Sequence, residues 1–314
     1  MSATLSWWIT GPFMYLAFLV CVVATLKKVI TIARMPRHIR WDLYPIAHEG
    51  SAGSSFQRSE FWTRPRPFSL ACELAEMAEE ILLLKRTFLY NRKIWLLSYP
   101  MHAGFYLITA WLGLVTLGAI LELTTGLTIS AASTLFWAQA LNAATVLAGA
   151  GGLLLGLYGC LGLLWMRLTD ENLQDFSSPV TFLNLYLLIA LFAGGLAAWL
   201  VNDPSFVLAR GYAVSLYTLQ PITLPPLMTL EAFLFAVFLI YLPFSRMLHP
   251  AAKYFFYHNI MWDDEPLVVG GSLDKAIGGY LNYKTNWGAP HLKAGSSWLE
   301  QATTNPTKPQ EEGK

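Results

Sequence analysis

Two histidines lie within or at the end of strongly apolar stretches of the sequence. His102 follows Pro100 near the start of one apolar run, and His249 lies where a later run meets polar sequence. A polar side chain in hydrocarbon needs a partner, because leaving it unpaired is costly. Two neutral imidazoles from different helices can occupy the two axial positions of one iron, so His102 and His249 are candidate ligands of a single b-type haem.

Each histidine taken alone has other interpretations. A histidine at the end of a membrane helix is more often an interfacial or proton-handling group than a haem ligand. The cysteines Cys21, Cys72 and Cys160 are scattered and form no C-x-x-C pair, which excludes an iron–sulfur cluster of the chain's own and covalent haem attachment. Any haem would therefore be held by axial ligands alone.

Several residues near these histidines bear on the same site. Arg246, three residues before His249 on a helical spacing, could pair with a haem propionate, and Lys253 is a weaker candidate for this role. Gly104 removes a side chain where a macrocycle could approach, although close helix packing is the commoner reason for such a glycine. Glu231 either exchanges protons or is an ordinary solvated carboxylate near the interface.

Membrane helices are the elements that must position these residues. The chain is 55% hydrophobic and 13% charged, whereas soluble domains contain about 25% charged residues. Five apolar runs are long enough to cross a hydrocarbon core of about 30 Å. The sequence therefore predicts an all-α membrane protein, a bundle of five transmembrane helices at 7–26, 95–121, 135–166, 180–201 and 227–248.

The distribution of basic residues predicts the orientation. The loop 27–93 carries twelve Lys and Arg residues, whereas the connections 122–134 and 202–226 together contain one basic residue, Arg210. The positive-inside rule then places the N-terminus outside and the C-terminus in the cytoplasm, in a multi-pass protein of the cytoplasmic membrane. The predicted parts are a retained first helix at 1–26, a cytoplasmic loop at 27–93, a four-helix haem-binding core at 94–249 and a cytoplasmic docking segment with a tail at 250–314.

The long loop contains one predicted helix. Its stretch 45–67 is rich in Gly, Ser and Pro and is expected to be irregular. Beyond it, apolar residues at 70, 74, 77, 81, 84 and 88 predict an amphipathic helix with Glu73, Glu76 and Glu80 on the opposite side. This helix could lie on the membrane surface, against a partner protein or on the loop itself. The last dozen residues of the chain are expected to be disordered.

Two motifs carry a family resemblance. LPFSRMLH at 242–249 resembles the last-helix signature of the respiratory nitrate reductase gamma subunit family, and PMHAG at 100–104 falls where that family has a haem-ligating histidine. The stretches LLLKRTFLYNRKIWLL and FFYHNIMWDDEP look closer to the cytochrome b subunits of the Dsr and Tmc complexes of sulfate reducers. The resemblance implies electron relay through haem b between a quinone, menaquinone, and a cytoplasmic iron–sulfur subunit similar to heterodisulfide reductase. It also suggests a periplasmic c-type cytochrome as a further partner.

The resemblance also bears on the number of haems. Family members with two haems use a second histidine on each of the two helices, but here the corresponding positions hold Leu112 and Glu231. We therefore expect one haem, near the cytoplasmic face, which disfavours direct electron transfer from a periplasmic cytochrome across a core of about 30 Å. Alternatives from other classes are a cofactor-free membrane anchor and a proton-coupled transporter. A net charge of +1 gives no reason to expect nucleic acid as a partner.

Overall fold

The computed structural model describes residues 3–35, 59–60, 63, 69–257 and 268–304. Within these ranges the chain is helical, and five helical spans are long and apolar enough to cross a membrane, which confirms the predicted fold class. The loop stretch 45–67, apart from three residues, and the tail beyond 304 lie outside the described residues. The helices are α1 Ala3–Trp8, α2 Met14–Ala33, α3 Leu70–Leu83, α4 Lys85–Tyr90, α5 Arg92–Thr125, α6 Phe136–Thr169, α7 Glu171–Asp175, α8 Pro179–Asn202, α9 Val207–Thr218, α10 Pro226–Tyr241, α11 His249–Phe256, α12 Ser272–Leu281 and α13 Trp298–Thr303.

The chain divides into two compact units. Unit 1 comprises Met1–Lys27 and Met77–Leu248 and contains most of the membrane-spanning helices. Unit 2 comprises Lys28–Glu76 and His249–Lys314. In unit 2, α13 begins with a capping box in which Ser297 and Glu300 satisfy each other's backbone N–H groups. An isolated bridge between Lys284 and Ser297 precedes that helix.

The first span is a helix interrupted by one wider turn. A π turn at Ile9–Phe13 joins α1 to α2 and contains Pro12. Proline has no N–H to donate, and a wider turn accommodates it without ending the helix. The helix continues past Lys27 and Lys28 to Ala33, further than predicted, because lysine is a good helix former whose ammonium group can extend to water.

Glycines bring α5 and α6 together until their backbones touch. A Cβ atom built on Gly104 would lie 2.5 Å from the backbone nitrogen of Gly156, and one built on Gly159 would lie 2.5 Å from that of Met101. No larger residue fits at such distances. The small-residue pattern of the third apolar run predicts this packing, and the structure confirms it. Phe192 of α8 packs against Gly156 of α6, so α8 is the third helix of this core.

The amphipathic helix predicted in the long loop is present as α3. It ends before Leu84, which adopts a left-handed conformation with φ of 53°. Glu73 and Glu80 are buried, whereas Leu70 and Leu74 are about half exposed. Met77 of the apolar side is buried as well, so both sides of α3 carry buried residues. Hydrophobic spacing alone does not show which side of a short helix packs against the protein.

Candidate functional site

His102 is half-buried on α5, ten residues after the helix begins. Its Nδ1 lies 2.7 Å from the carbonyl oxygen of Ser98 and 3.5 Å from the Ser98 hydroxyl. Because a carbonyl can only accept, Nδ1 carries the hydrogen and the lone pair of the neutral ring is on Nε2. Metal-ligating histidines are held in this manner, by donation from the second ring nitrogen to a carbonyl or carboxylate.

Two aromatic side chains on the His102 side of α5 are held by the last turn of α3. Trp95 Nε1 donates to the Leu83 carbonyl at 2.8 Å, and the Tyr106 hydroxyl donates to the Ile81 carbonyl at 2.5 Å. Trp95 lies seven residues before His102 and Tyr106 four residues after it, so the three side chains form one stripe. The last carbonyls of a helix lack partners within it, and here the stripe satisfies two of them.

Gly104 is on the other side of α5 from His102, since two residues turn an α-helix by about 200°. The space beside its Cα is filled by the backbone of Gly152 and Gly156 in α6. Of the two roles that the sequence leaves open for Gly104, the structure therefore favours helix packing. The resulting contact directs the His102 stripe away from α6.

The fifth span ends earlier than predicted. α10 stops at Tyr241, and two short 3₁₀ turns follow at Leu242–Phe244 and Arg246–Leu248. Pro243 cannot donate a backbone hydrogen bond, and the Ser245 hydroxyl instead donates to the Leu242 carbonyl at 3.0 Å and accepts from the Met247 N–H at 3.1 Å. Arg246 is exposed on this turn. The continuous α-helix to Leu248 that the sequence predicts is thus not formed.

His249 belongs to unit 2, in which it begins α11 and is exposed. On the same helix, the Lys253 ammonium lies 5.8 Å from the ring centre of Tyr257, a cation–π contact. His102 belongs to unit 1, so a haem shared by the two histidines stays a prediction, as does the pairing of Arg246 with a propionate. Of the histidines not expected to bind a haem, His291 is exposed in unit 2, and His38, His48 and His258 lie outside the described residues.

A buried arginine, whose role sequence reasoning missed, lies near the other end of α5. Arg210 of α9 is only 1% exposed. Its Nη2 donates to the Ile129 carbonyl at 2.5 Å and to Asn142 Oδ1 at 3.1 Å, and its Nε lies 3.5 Å from Glu122 Oε1. The pKa of Arg210 is lowered, mainly by burial, although the charges of Glu122 and Asp203 act in the opposite direction. The cluster fastens α9 to α5, to α6 and to the connection between them.

The sequence gives only a weak signal for this cluster, because Arg210 lies in the connection 202–226, which contains four prolines. α9 is also joined to the first span by two tyrosines. The Tyr212 hydroxyl donates to the Thr10 carbonyl at 2.8 Å, and the Tyr15 hydroxyl donates to the Leu216 carbonyl at 2.7 Å. Burial raises the pKa of Tyr212, so its hydroxyl keeps its hydrogen near neutral pH. α9 is therefore a structural junction between three membrane-spanning helices.

Glu231 is placed differently from its predicted position at a solvated interface. Its Oε2 atom is enclosed and has no hydrogen-bond partner among the described residues. The carboxyl group lies against Gly194 and Gly195 of α8. The interpretation as an ordinary solvated carboxylate is wrong, because the glycine pair lets this side chain enter the contact between α8 and α10.

No family model, curated protein or solved structure matches the chain. The resemblance to the nitrate reductase gamma subunit family therefore rests on the sequence motifs, chiefly those at 100–104 and 242–249, and stays a prediction. The five membrane-spanning helices and the orientation of His102 are the observations on which a functional proposal can be built.

Proposed function

We propose that the protein is the membrane cytochrome b subunit of a respiratory redox complex. It relays electrons between the quinone pool and a cytoplasmic iron–sulfur partner through one haem b. The observation that carries the proposal is His102, an imidazole on a membrane-spanning helix whose Nδ1–H donates to the Ser98 carbonyl. This hydrogen bond fixes the tautomer in which Nε2 has the lone pair that a metal requires.

The chemistry of the available donors supports a haem more than a bare metal ion. A bare ion is usually held by three or more His, Cys, Asp or Glu side chains, and the part of the chain that the structure describes contains no such group. A haem needs only axial ligands from the protein. When bound, haem b supplies one-electron transfer, and the protein supplies ligation, orientation and a dry environment.

Each predicted site residue has a defined task in this proposal. His102 and His249 are the axial ligands, and the Ser98 carbonyl keeps the His102 ring in one orientation. Arg246, exposed at the end of the fifth span, provides the cation for a propionate. Gly104 acts indirectly, because its contact with α6 fixes the rotation of α5 about its axis.

The stripe around His102 would shelter one side of the haem site. Trp95 and Tyr106 present aromatic rings next to His102 while their polar atoms are satisfied by α3 carbonyls. The last turn of α3 therefore limits access to this face of α5. A sheltered environment would keep water away from the residues that hold the haem.

The proposed partners follow from the predicted position of His102 and His249 near the cytoplasmic face. A quinone, menaquinone in this proposal, exchanges electrons with a heterodisulfide-reductase-like iron–sulfur subunit on the cytoplasmic side. That subunit docks on the basic loop 27–93 and on the segment 250–314. A periplasmic c-type cytochrome would face a hydrocarbon core of about 30 Å without a second redox centre, so it is the less favoured partner.

The first test is a dithionite-reduced minus oxidised visible spectrum of the purified full chain, with haem content quantified per chain. We expect the bands of a b-type cytochrome at about one haem per chain. The His102→Ala and His249→Ala variants should each lose the haem, because a six-coordinate low-spin iron needs both imidazoles.

The matched control is His291→Ala, which removes an exposed histidine of unit 2 and should leave the spectrum unchanged. Circular dichroism should show the same helical content in all variants. A folded wild-type protein without a b-type band would overturn the proposal and favour a cofactor-free anchor. Full haem content in His102→Ala, with loss in His249→Ala, would remove His102 from the ligand pair.

A further inference from the structure

The carboxyl group of Glu231 occupies a niche in the contact between α10 and α8. A Cβ atom on Gly194 would lie 2.5 Å from Glu231 Oε2, and one on Gly195 would lie 3.3 Å from Oε1. The two glycines therefore provide the room that the carboxyl group fills. Within the described part of the chain, Glu231 has neither an ion-pair partner nor a hydrogen-bond partner for the enclosed Oε2.

The groups that surround this niche are apolar. Leu153 of α6 lies beside Gly195, and Leu234 of α10 lies beside Gly194. On the opposite side of α10, the π turn of the first span packs through stacked rings of Phe13 and Phe233. None of these side chains can donate a hydrogen bond or carry a charge.

The hydroxyl and charged groups on the neighbouring elements are either exposed, as Tyr158 of α6 and Tyr186 of α8 are, or hydrogen-bonded to other partners. Tyr241 of α10 donates to Asn184 of α8 at 2.7 Å, ten residues further along the helix. Tyr212 of α9 donates to the first span, and Arg210 pairs with Glu122. Over the ranges that the structure describes, no countercharge is thus available to stabilise an ionised Glu231.

An ionised carboxylate enclosed in apolar surroundings without a partner is strongly disfavoured, so the group holds a proton. We propose that Glu231 is a proton-binding site within the membrane-spanning bundle. It holds a proton at rest and exchanges it with water at the end of the bundle where α10 begins. Because α10 begins at Pro226, Glu231 lies only about 8 Å along the helix from that end. The proposal goes beyond electron transfer and does not depend on a haem.

The test is a solid-state NMR titration of the full chain in lipid bilayers, with glutamate labelled with carbon-13 at the carboxyl position. The isosteric Glu231→Gln variant identifies the Glu231 resonance by its disappearance. At neutral pH we expect this resonance at the position of a protonated carboxyl. Raising the pH should move the Glu231 resonance to the ionised position.

Either of two results would overturn the proposal. A Glu231 resonance at the ionised position at neutral pH would show that no proton is held at rest. A resonance that stays protonated over the whole pH range in which the protein remains folded would show a buried structural acid that exchanges no proton.

A pair of glycine variants tests whether the niche causes this behaviour. In Gly194→Ala the new methyl group would lie 2.5 Å from Oε2, so the carboxyl group must move and its resonance should shift towards that of solvated glutamates. Gly113→Ala is the matched control, because a Cβ atom there meets nothing within 4 Å. An unchanged Glu231 resonance in a folded Gly194→Ala protein would show that the niche does not control the proton.

Discussion

Arg210 and Glu231 are both ionisable and both lie near the end of the bundle where α9 and α10 begin. Arg210 is fully buried, whereas Glu231 is partly buried and has one enclosed carboxyl oxygen, Oε2. Arg210 Nη2 donates to the Ile129 carbonyl and to Asn142, and Nε lies 3.5 Å from the Glu122 carboxylate, although Nε and Nη1 make no hydrogen bond within the described residues. Glu231 has no charged partner among the described residues, and its enclosed Oε2 accepts no hydrogen bond from them. A buried charge is tolerated only when it is paired and hydrogen-bonded. The charge of Arg210 is therefore a fixed part of the structure, and Glu231 is accommodated as a neutral group.

The difference arises from the neighbours that each side chain meets. Gly118 of α5 lets the aliphatic part of Arg210 pass close to the backbone, since a Cβ there would lie 2.7 Å from Arg210 Cδ. The guanidinium group then reaches oxygens on α5, α6 and their connection. Gly194 and Gly195 likewise admit Glu231, but their own neighbours are leucines. Glycine thus makes room in both places, and the surrounding polar atoms determine the charge state.

The largest effect is expected from Arg210→Met, which keeps much of the aliphatic volume and removes the charge. Glu122, Asn142 and the Ile129 carbonyl would lose their common donor. Breaking a buried pair in this way costs about 3–5 kcal/mol. Unfolding in mixed micelles, followed by circular dichroism, measures the change in the free energy of unfolding.

The matched control is Arg167→Met, near the cytoplasmic end of α6 in the predicted orientation. Arg167 is only partly buried and donates to the Ser177 hydroxyl at 2.8 Å. Loss of this single hydrogen bond should cost about 1 kcal/mol. If Arg210→Met destabilises the protein no more than Arg167→Met does, the Arg210 cluster does not hold α9 against α5 and α6.

A smaller effect is expected from Glu122→Gln. The Glu122 Oε1 atom accepts from the Ile129 N–H at 2.9 Å and lies 3.5 Å from Arg210 Nε. Glutamine can keep the first contact but not the charge, and Arg210 retains its bonds to the Ile129 carbonyl and Asn142. We expect a loss of about 1–2 kcal/mol in the free energy of unfolding.

A double variant shows whether the two residues act together. In Arg210→Met/Glu122→Gln the total loss should be smaller than the sum of the single losses, because the same ion pair is removed twice. Strict additivity would mean that Arg210 and Glu122 do not interact in the folded protein.

These two sites also show how far the sequence could predict the structure. The five spans follow from run length and composition, because a bilayer requires about 20 apolar residues in each helix. The Arg210 cluster could not be predicted, since it joins residues 68 and 81 positions apart through a helix in a proline-rich segment. The burial of Glu231 likewise depends on glycines of another helix. The fifth span ends early because Pro243 donates no backbone hydrogen bond and the Ser245 hydroxyl forms local hydrogen bonds instead. The hydrophobicity of the run does not show this.

The smallest effect is expected from Glu231→Gln, the same substitution as in Glu122→Gln. If the Glu231 carboxyl is neutral in the folded protein, the amide replaces it without removing a charge or a hydrogen bond. The free energy of unfolding should then change by less than about 0.5 kcal/mol at neutral pH. A loss as large as that of Glu122→Gln would mean that Glu231 is ionised and paired, and the contrast with Arg210 would no longer hold. Comparing the free energies of unfolding of Glu122→Gln and Glu231→Gln therefore shows whether the fold requires the charge of Glu122 and accommodates Glu231 as a neutral group.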